Sequence, residues 1–216
     1  MAGKLACKPG FERSRLSSGA DIQKVTPDER ISMALYEIGP ESLREIPEST
    51  FVDLKLLERQ DLQRLLREQI DVICPDGLVL AEEFGDWEDS NRRIDLLVLD
   101  PDGSLVIVEL KRTQDGGHSE LQAIRYASMV ATMSLEQAVE AHRRYCVQRS
   151  IQEDPEQRVL DHLKSSEDDE MASFGSSVRI VLAAADFSRE LTTSLLWLNE
   201  REIDLRCVRL TPYRFG

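Results

Sequence analysis

The stretch RRIDLLVLDPDGSLVIVELKR, residues 92–112, holds two apolar runs on either side of a turn. IDLLVL and LVIVEL are nearly continuous and rich in branched side chains, the composition of central strands covered on both faces. Between them Pro101 suits the second position of a type I turn. Gly103 suits the left-handed residue that follows in a three-residue hairpin with a G1 bulge. Asp100 then pairs with Ser104, and moving inward Leu99 faces Leu105, Leu97 faces Ile107, Asp95 faces Glu109 and Arg93 faces Lys111. Alternation along a strand also sets Asp95, Glu109 and Lys111 on one face. A slip of one residue would separate them.

Two carboxylates facing each other on half-buried strands repel and lose solvation, so the arrangement needs compensation. A divalent cation supplies it, because Mg²⁺ prefers one or two protein carboxylates plus water and phosphate oxygens. Lys111 could then hold the attacking water or neutralise charge developing on a phosphate. Ion pairs of Asp95 and Glu109 with Arg93, Lys111 or Arg112 at a sheet end fit the spacing equally well.

Outward from the hairpin, Leu62, Leu65, Leu66, Ile70 and Ile73 recur at helical spacing and predict an amphipathic helix from about Leu56 to Ile73. Glu58 lies on its apolar face, and the plainer account is a first-turn acid favouring the helix dipole. Strands are expected at Leu78 to Phe84, Arg92 to Leu99 and Ser104 to Arg112, with Leu35 to Ile38 a further short one. Helices follow from Ser119 to Met133, from a Ser134/Gln137 capping box to Arg149, and from an Asp154 cap with Pro155 to Leu163. Strand Arg179 to Ala185, a helix capped by Ser188 and strand Ile203 to Leu210 close the chain. This order implies an α/β architecture, a mixed β-sheet core flanked by helices. Residues 1–50 read as a partly ordered N-terminal arm and 51–216 as the domain, with a mobile acidic loop at about 165–177.

The chain of 216 residues is 41% hydrophobic and 31% charged, which suits one soluble globular domain. No window is apolar enough to span a bilayer, and no leader sequence is seen. Scattered Cys7, Cys74, Cys146 and Cys207 suit buried positions in a reducing, cytoplasmic setting. A net charge of -13 argues against a broadly basic nucleic-acid coat but leaves room for a local basic channel. Arg92, Arg93, Arg112 and Arg125 cluster in sequence around the acid pair and could grip phosphates, with Arg143 and Arg144 extending the track. His118 reads as a loop residue, His142 and His162 as surface residues, and Trp87, Trp197 and Tyr213 as core or edge packing. No P-loop, GxGxxG, GxSxG or HExxH pattern is present, which removes the usual support for nucleotide-driven, dinucleotide-dependent or serine-hydrolase activity.

An acid on one strand, a short hairpin and Glu-x-Lys on the next, here RRID with Asp95 and VELK with Glu109 and Lys111, resembles the PD-(D/E)XK, or restriction-endonuclease-like, nuclease superfamily. Ile94 stands where the Pro of the classical pattern would be. QAIRYA, with Gln122 and Tyr126, is similar to the Gln-x-x-x-Tyr element of several branches, and ERQDLQ, with Glu58, to the acid contributed by the first core helix. From about Leu56 to Tyr126 the chain looks most similar to the NucS/EndoMS-like endonuclease domain.

The resemblance implies a metal-dependent DNA endonuclease of repair or defence. Asp95, Glu109 and the Leu110 carbonyl would hold Mg²⁺ or Mn²⁺, Lys111 would position the water, and Glu58 and Gln122 would support the metal shell. Arg92, Arg93, Arg112, Arg125 and Tyr126 would contact DNA, which could be single-stranded, branched or mismatched. A homodimer is expected by analogy with similar folds. The alternative, motivated by the negative charge, is a non-catalytic nucleic-acid-binding or protein-assembly module on the same scaffold.

Overall fold

A computed structural model describes residues 34–85, 93–111, 119–164 and 173–215, without the side chains of residues 59 and 119–121. Residues 1–33 of the expected arm, residues 165–172 of the expected acidic loop, and Cys7, Trp87, Arg92, Arg112 and His118 lie outside the described residues. Residues Leu35–Gly216 form one compact unit.

The two apolar runs become β4 (Ile94–Leu99) and β5 (Leu105–Lys111), buried along almost their whole length. Their register is the expected one, with Leu96 opposite Val108, Leu97 opposite Ile107, Val98 opposite Val106 and Leu99 opposite Leu105. The turn chemistry explains why. Gly103 N–H bonds Asp100 O and Asp100 N–H bonds Ser104 O, both at 2.9 Å, with Gly103 at φ 84. A Cβ on Gly103 would stand 2.4 Å from Ser173 O, so a side chain is excluded by space as well as by backbone conformation.

β3 (Leu78–Phe84) runs antiparallel to β4, while β6 (Val178–Ala184) and β7 (Leu205–Arg209) are parallel to β5 and β6. The five-stranded mixed sheet has the order β3-β4-β5-β6-β7, which leaves β3 and β7 at its edges. β1 (Leu35–Ile38) pairs with β2 (Leu43–Ile46) in a separate hairpin. The sequence pattern shows only the first of these two strands.

Helices cover both faces. Leu97, Leu99, Leu105 and Ile107 pack with α2 (Ser119–Val130), α3 (Leu135–Arg149) and α4 (Pro155–Lys164). Leu96, Val98, Val106 and Val108 pack with Leu62, Leu66 and Ile70. α5 (Arg189–Asn199) lies over β6 and β7 through Leu195. The Ser134/Gln137 capping box forms, as do the caps at Asp154 and Ser188. No helix among the described residues is long and apolar enough to cross a membrane.

The first helix differs from expectation. Instead of one α-helix from Leu56 to Ile73, a π-helical segment Glu58–Gln63 leads into α1 (Arg64–Glu68) and then a 3-10 turn Ile70–Val72. Leu62 N–H reaches back five residues to Leu57 O, and Asp61 Oδ2 accepts from Leu57 N–H, so the first turn is widened. At the other end Gln69 leaves the helical region, with φ -131 and ψ 52. Leu62, Leu66 and Ile70 still make one buried stripe because each is one turn from the next.

Candidate active site

The strand ladder between β4 and β5 runs from the turn as far as Leu96 and Val108. Beyond it a side chain takes over. Asp95 Oδ2 accepts the Leu110 N–H at 2.8 Å, filling a position that a backbone carbonyl would otherwise occupy. On its other side Asp95 meets β3 between the pairs Glu82–Leu96 and Phe84–Ile94, where Glu83 holds a left-handed backbone, φ 51. A non-glycine residue in that conformation is costly and is kept only where its surroundings dictate it.

Asp95 and Glu109 are both buried, at 7% and 1% exposed. Burial pushes the Asp95 carboxyl up to about 6, with the Leu110 N–H pulling the other way. Burial pushes Glu109 up to about 8, and the charge of Asp95 raises it further. Lys111 Nζ sits between two acids, 3.8 Å from Glu109 Oε2 and 4.0 Å from Glu58 Oε1. From α2, Gln122 Nε2 donates to Tyr126 Oη at 3.0 Å and reaches Glu109 Oε1 at 3.5 Å. Asp95, Glu109, Lys111, Glu58 and Gln122 therefore meet at one end of the sheet, from four different elements.

Glu109 Oε2 is buried without a hydrogen-bond donor. Lys111 is too distant to serve as one and offers only a longer-range attraction. An oxygen left this way asks for a partner of positive charge, and the donor set of two carboxylates suits a hard cation that keeps several waters. Among the described residues no group of three His, Cys, Asp or Glu side chains forms a metal cage. The residues present fit a Mg²⁺-like ion held partly by solvent or substrate oxygens.

No protein-family model matches this chain, and no curated protein matches it. Among solved structures it matches the crystal structure of a repair endonuclease from Pyrococcus abyssi, with 20% identity over 68% of this chain and 45% of the other, at a TM-score of 0.36. It also matches an EndoMS–dsDNA complex, with 19% identity over 71% of this chain and 44% of the other, at a TM-score of 0.34. The chain spans less than half the length of either.

Several single-residue expectations change. Tyr126, expected at the DNA, is 1% exposed and packs in the core beneath α2, where its hydroxyl accepts from Gln122. His142 is fully buried rather than on the surface, stacked on Tyr145 with Nδ1 3.4 Å from Leu80 O, and burial lowers its pKa. It occupies the face of α3 that packs on β3. His162 is half-buried, its Nε2 2.9 Å from Leu99 O. Trp197 is 54% exposed under the Arg201 guanidinium, not packed in the core. Cys74 and Cys146 are buried as expected, but Cys207 is exposed on β7. Arg93 and Arg125 are exposed, and the Leu110 side chain is buried.

One residue of the site escaped the sequence pattern. Gln63 is buried, and its Nε2 donates to Glu82 Oε1 at 3.2 Å and to Asp95 O at 3.3 Å. It thereby ties the first helix to the strand that carries Asp95. Its position three residues before Leu66 and seven before Ile70, on the apolar stripe, was the available signal.

Proposed function

We propose that this chain is a divalent-metal-dependent DNA endonuclease of the restriction-endonuclease-like kind. The observation that carries it is the pair of buried carboxylates, Asp95 and Glu109, with a donor-less oxygen on Glu109 and the Lys111 ammonium 3.8 Å away. Burying two acids side by side costs stability, and among the described residues no arginine pairs with them, which favours a role in chemistry.

Asp95 and Glu109 would hold Mg²⁺ or Mn²⁺, with the Leu110 carbonyl as the third donor that the family resemblance implies. When bound, the ion supplies Lewis acidity toward a phosphate oxygen and lowers the pKa of a water. Lys111 would orient the attacking water and offset charge developing on the phosphate. Glu58, 4.0 Å from Lys111 Nζ, would keep the ammonium directed toward the acid pair. Gln122 would fix the Glu109 carboxylate from the α2 side, itself held by Tyr126. The repair or defence role and a homodimer belong to the same proposal.

The test is cleavage of single-stranded, branched and mismatched DNA with Mg²⁺ or Mn²⁺. Glu109→Ala and Lys111→Ala should each abolish it. Cleavage by either variant at the unmodified rate, or full activity in EDTA, would rule the assignment out.

A further inference from the structure

A polyanion approaching this site meets an electrostatic problem. Glu109 and Glu58 lie within 4.0 Å of the Lys111 ammonium, and Asp95, Glu58 and Glu83 add negative charge around the same acid pair. A DNA strand therefore needs cationic groups beside the acid pair to be drawn in. The described surface provides them in one place.

Between the edge strand β3 and helix α3 lies a cleft of about 430 Å³ lined by Glu82, Glu83, Arg93, Arg144, Gln148 and Arg149, among others. Glu82 is already spoken for. Arg67 Nη1 donates to both of its oxygens, at 3.0 and 3.2 Å, and Arg149 pairs with it from α3. Counting Arg67 behind the wall, the described residues set four guanidinium groups against two carboxylates, in a chain whose net charge is -13. Among the described residues the local sign is reversed.

The cleft also adjoins the acid pair. Arg93 immediately precedes β4, two residues from Asp95, and its Nη1 reaches Glu83 O at 3.4 Å. Gln63 bonds Glu82 and the Asp95 carbonyl with the same amide group. The walls of the cleft and the backbone of the catalytic strand are thus one hydrogen-bonded structure.

We propose that this cleft seats the sugar–phosphate backbone of the DNA strand beside the scissile bond, with Arg93 and Arg144 as its phosphate contacts. The proposal rests on the nuclease assignment. Guanidinium groups match phosphate oxygens in pairs, and the neighbouring Gln148 adds an uncharged donor. Arg149 stays on Glu82 and holds α3 against β3, while Arg67 ties α1 to the same carboxylate. Arg93 and Arg144 are both exposed, so replacing them leaves the core intact.

The experiment measures binding of a fluorescent oligonucleotide of about 20 nucleotides, single-stranded and duplex, to the full chain in EDTA, where no cleavage occurs. Arg93→Ala with Arg144→Ala should weaken binding about tenfold or more at low salt and flatten the salt dependence by about one to two counterions. Arg144→Glu alone should weaken it further than Arg144→Ala. Arg206→Ala, on the opposite edge strand β7, should change binding less than about twofold.

Unchanged affinity and salt slope in the double variant would overturn the cleft assignment while leaving Glu109-dependent cleavage intact. So would absence of any binding by the unmodified chain. Cleavage that ignores Glu109, alongside binding that needs Arg93 and Arg144, would sink the nuclease assignment and leave the cleft as a binding site.

Discussion

The two ends of the β4–β5 hairpin treat carboxylates in opposite ways. At the turn, Asp100, Asp102 and Asp204 converge on Arg179, which pairs with Asp100, lies 2.6 Å from Asp204 Oδ2 and 3.7 Å from Asp102 Oδ2. Burial works against the Arg179 charge, but the bonds to Asp204 and Asp100 outweigh it and raise its pKa. At the open end, Lys111 is the one cation beside Asp95 and Glu109 among the described residues, and Glu109 keeps an oxygen without a donor. The same strands carry both clusters. One is closed by an arginine and ties β6 to the hairpin, while the other, among the described residues, has only Lys111 beside it, as the proposed cation site requires.

Removing the arginine should break the closed end most. Arg179→Ala leaves three acids facing one another and should cost about 3 kcal/mol, lowering the melting temperature by roughly 6 to 12 °C. A loss within 2 °C of zero, roughly the shift for under 1 kcal/mol, would erase the distinction between the two ends.

The open end should show its strain in pH. Asp95 and Glu109 have folded pKa values raised to about 6 and about 8, above ordinary carboxyl values of about 4. In that window the folded chain binds more protons than the unfolded chain, so their contribution to stability is full below about pH 4 and is lost as pH rises toward 8. Melting curves should show the loss, and Glu109→Gln should remove most of it. Added Mn²⁺ should raise the melting temperature more at pH 8 than at pH 5.5, since binding needs the ionised acids. A Mn²⁺ shift independent of pH would contradict a carboxylate site.

Register is the link between the ends. Gly103→Ala, with φ 84 and Ser173 O at 2.4 Å from the new Cβ, should cost about 2 kcal/mol by differential scanning calorimetry. Because the ladder from Leu99 to Leu96 would remain, cleavage by the folded fraction should persist. The smallest effect is expected at Gln122. Its contact with Glu109 is 3.5 Å, so Gln122→Met should weaken Mn²⁺ affinity by only about tenfold or less in a calorimetric titration.

Most of the hairpin was legible because its information is local. Two apolar runs and a Pro-Asp-Gly turn set the partners of β4 and β5 without help from the rest of the chain. The Glu-x-Lys spacing then located the acid pair, and the caps at Ser134, Asp154 and Ser188 marked their helices through short side-chain bonds. Local chemistry of this kind survives folding unchanged.

Only the tertiary structure decided what those residues face. The widened turn at Glu58–Gln63 depends on a bond five residues back, which helical periodicity does not encode, and it accompanies the burial of Gln63 against Asp95. His142 sits on a helix face that is buried only because α3 lies on β3, and Tyr126 is core only because α2 lies on the sheet. The cleft beside β3 gathers Arg93 with Arg144 and Arg149, residues some fifty positions apart whose approach is set by that packing. Sequence order fixed the hairpin and its acids, while the charge around them arose from helices that pack from distant parts of the chain.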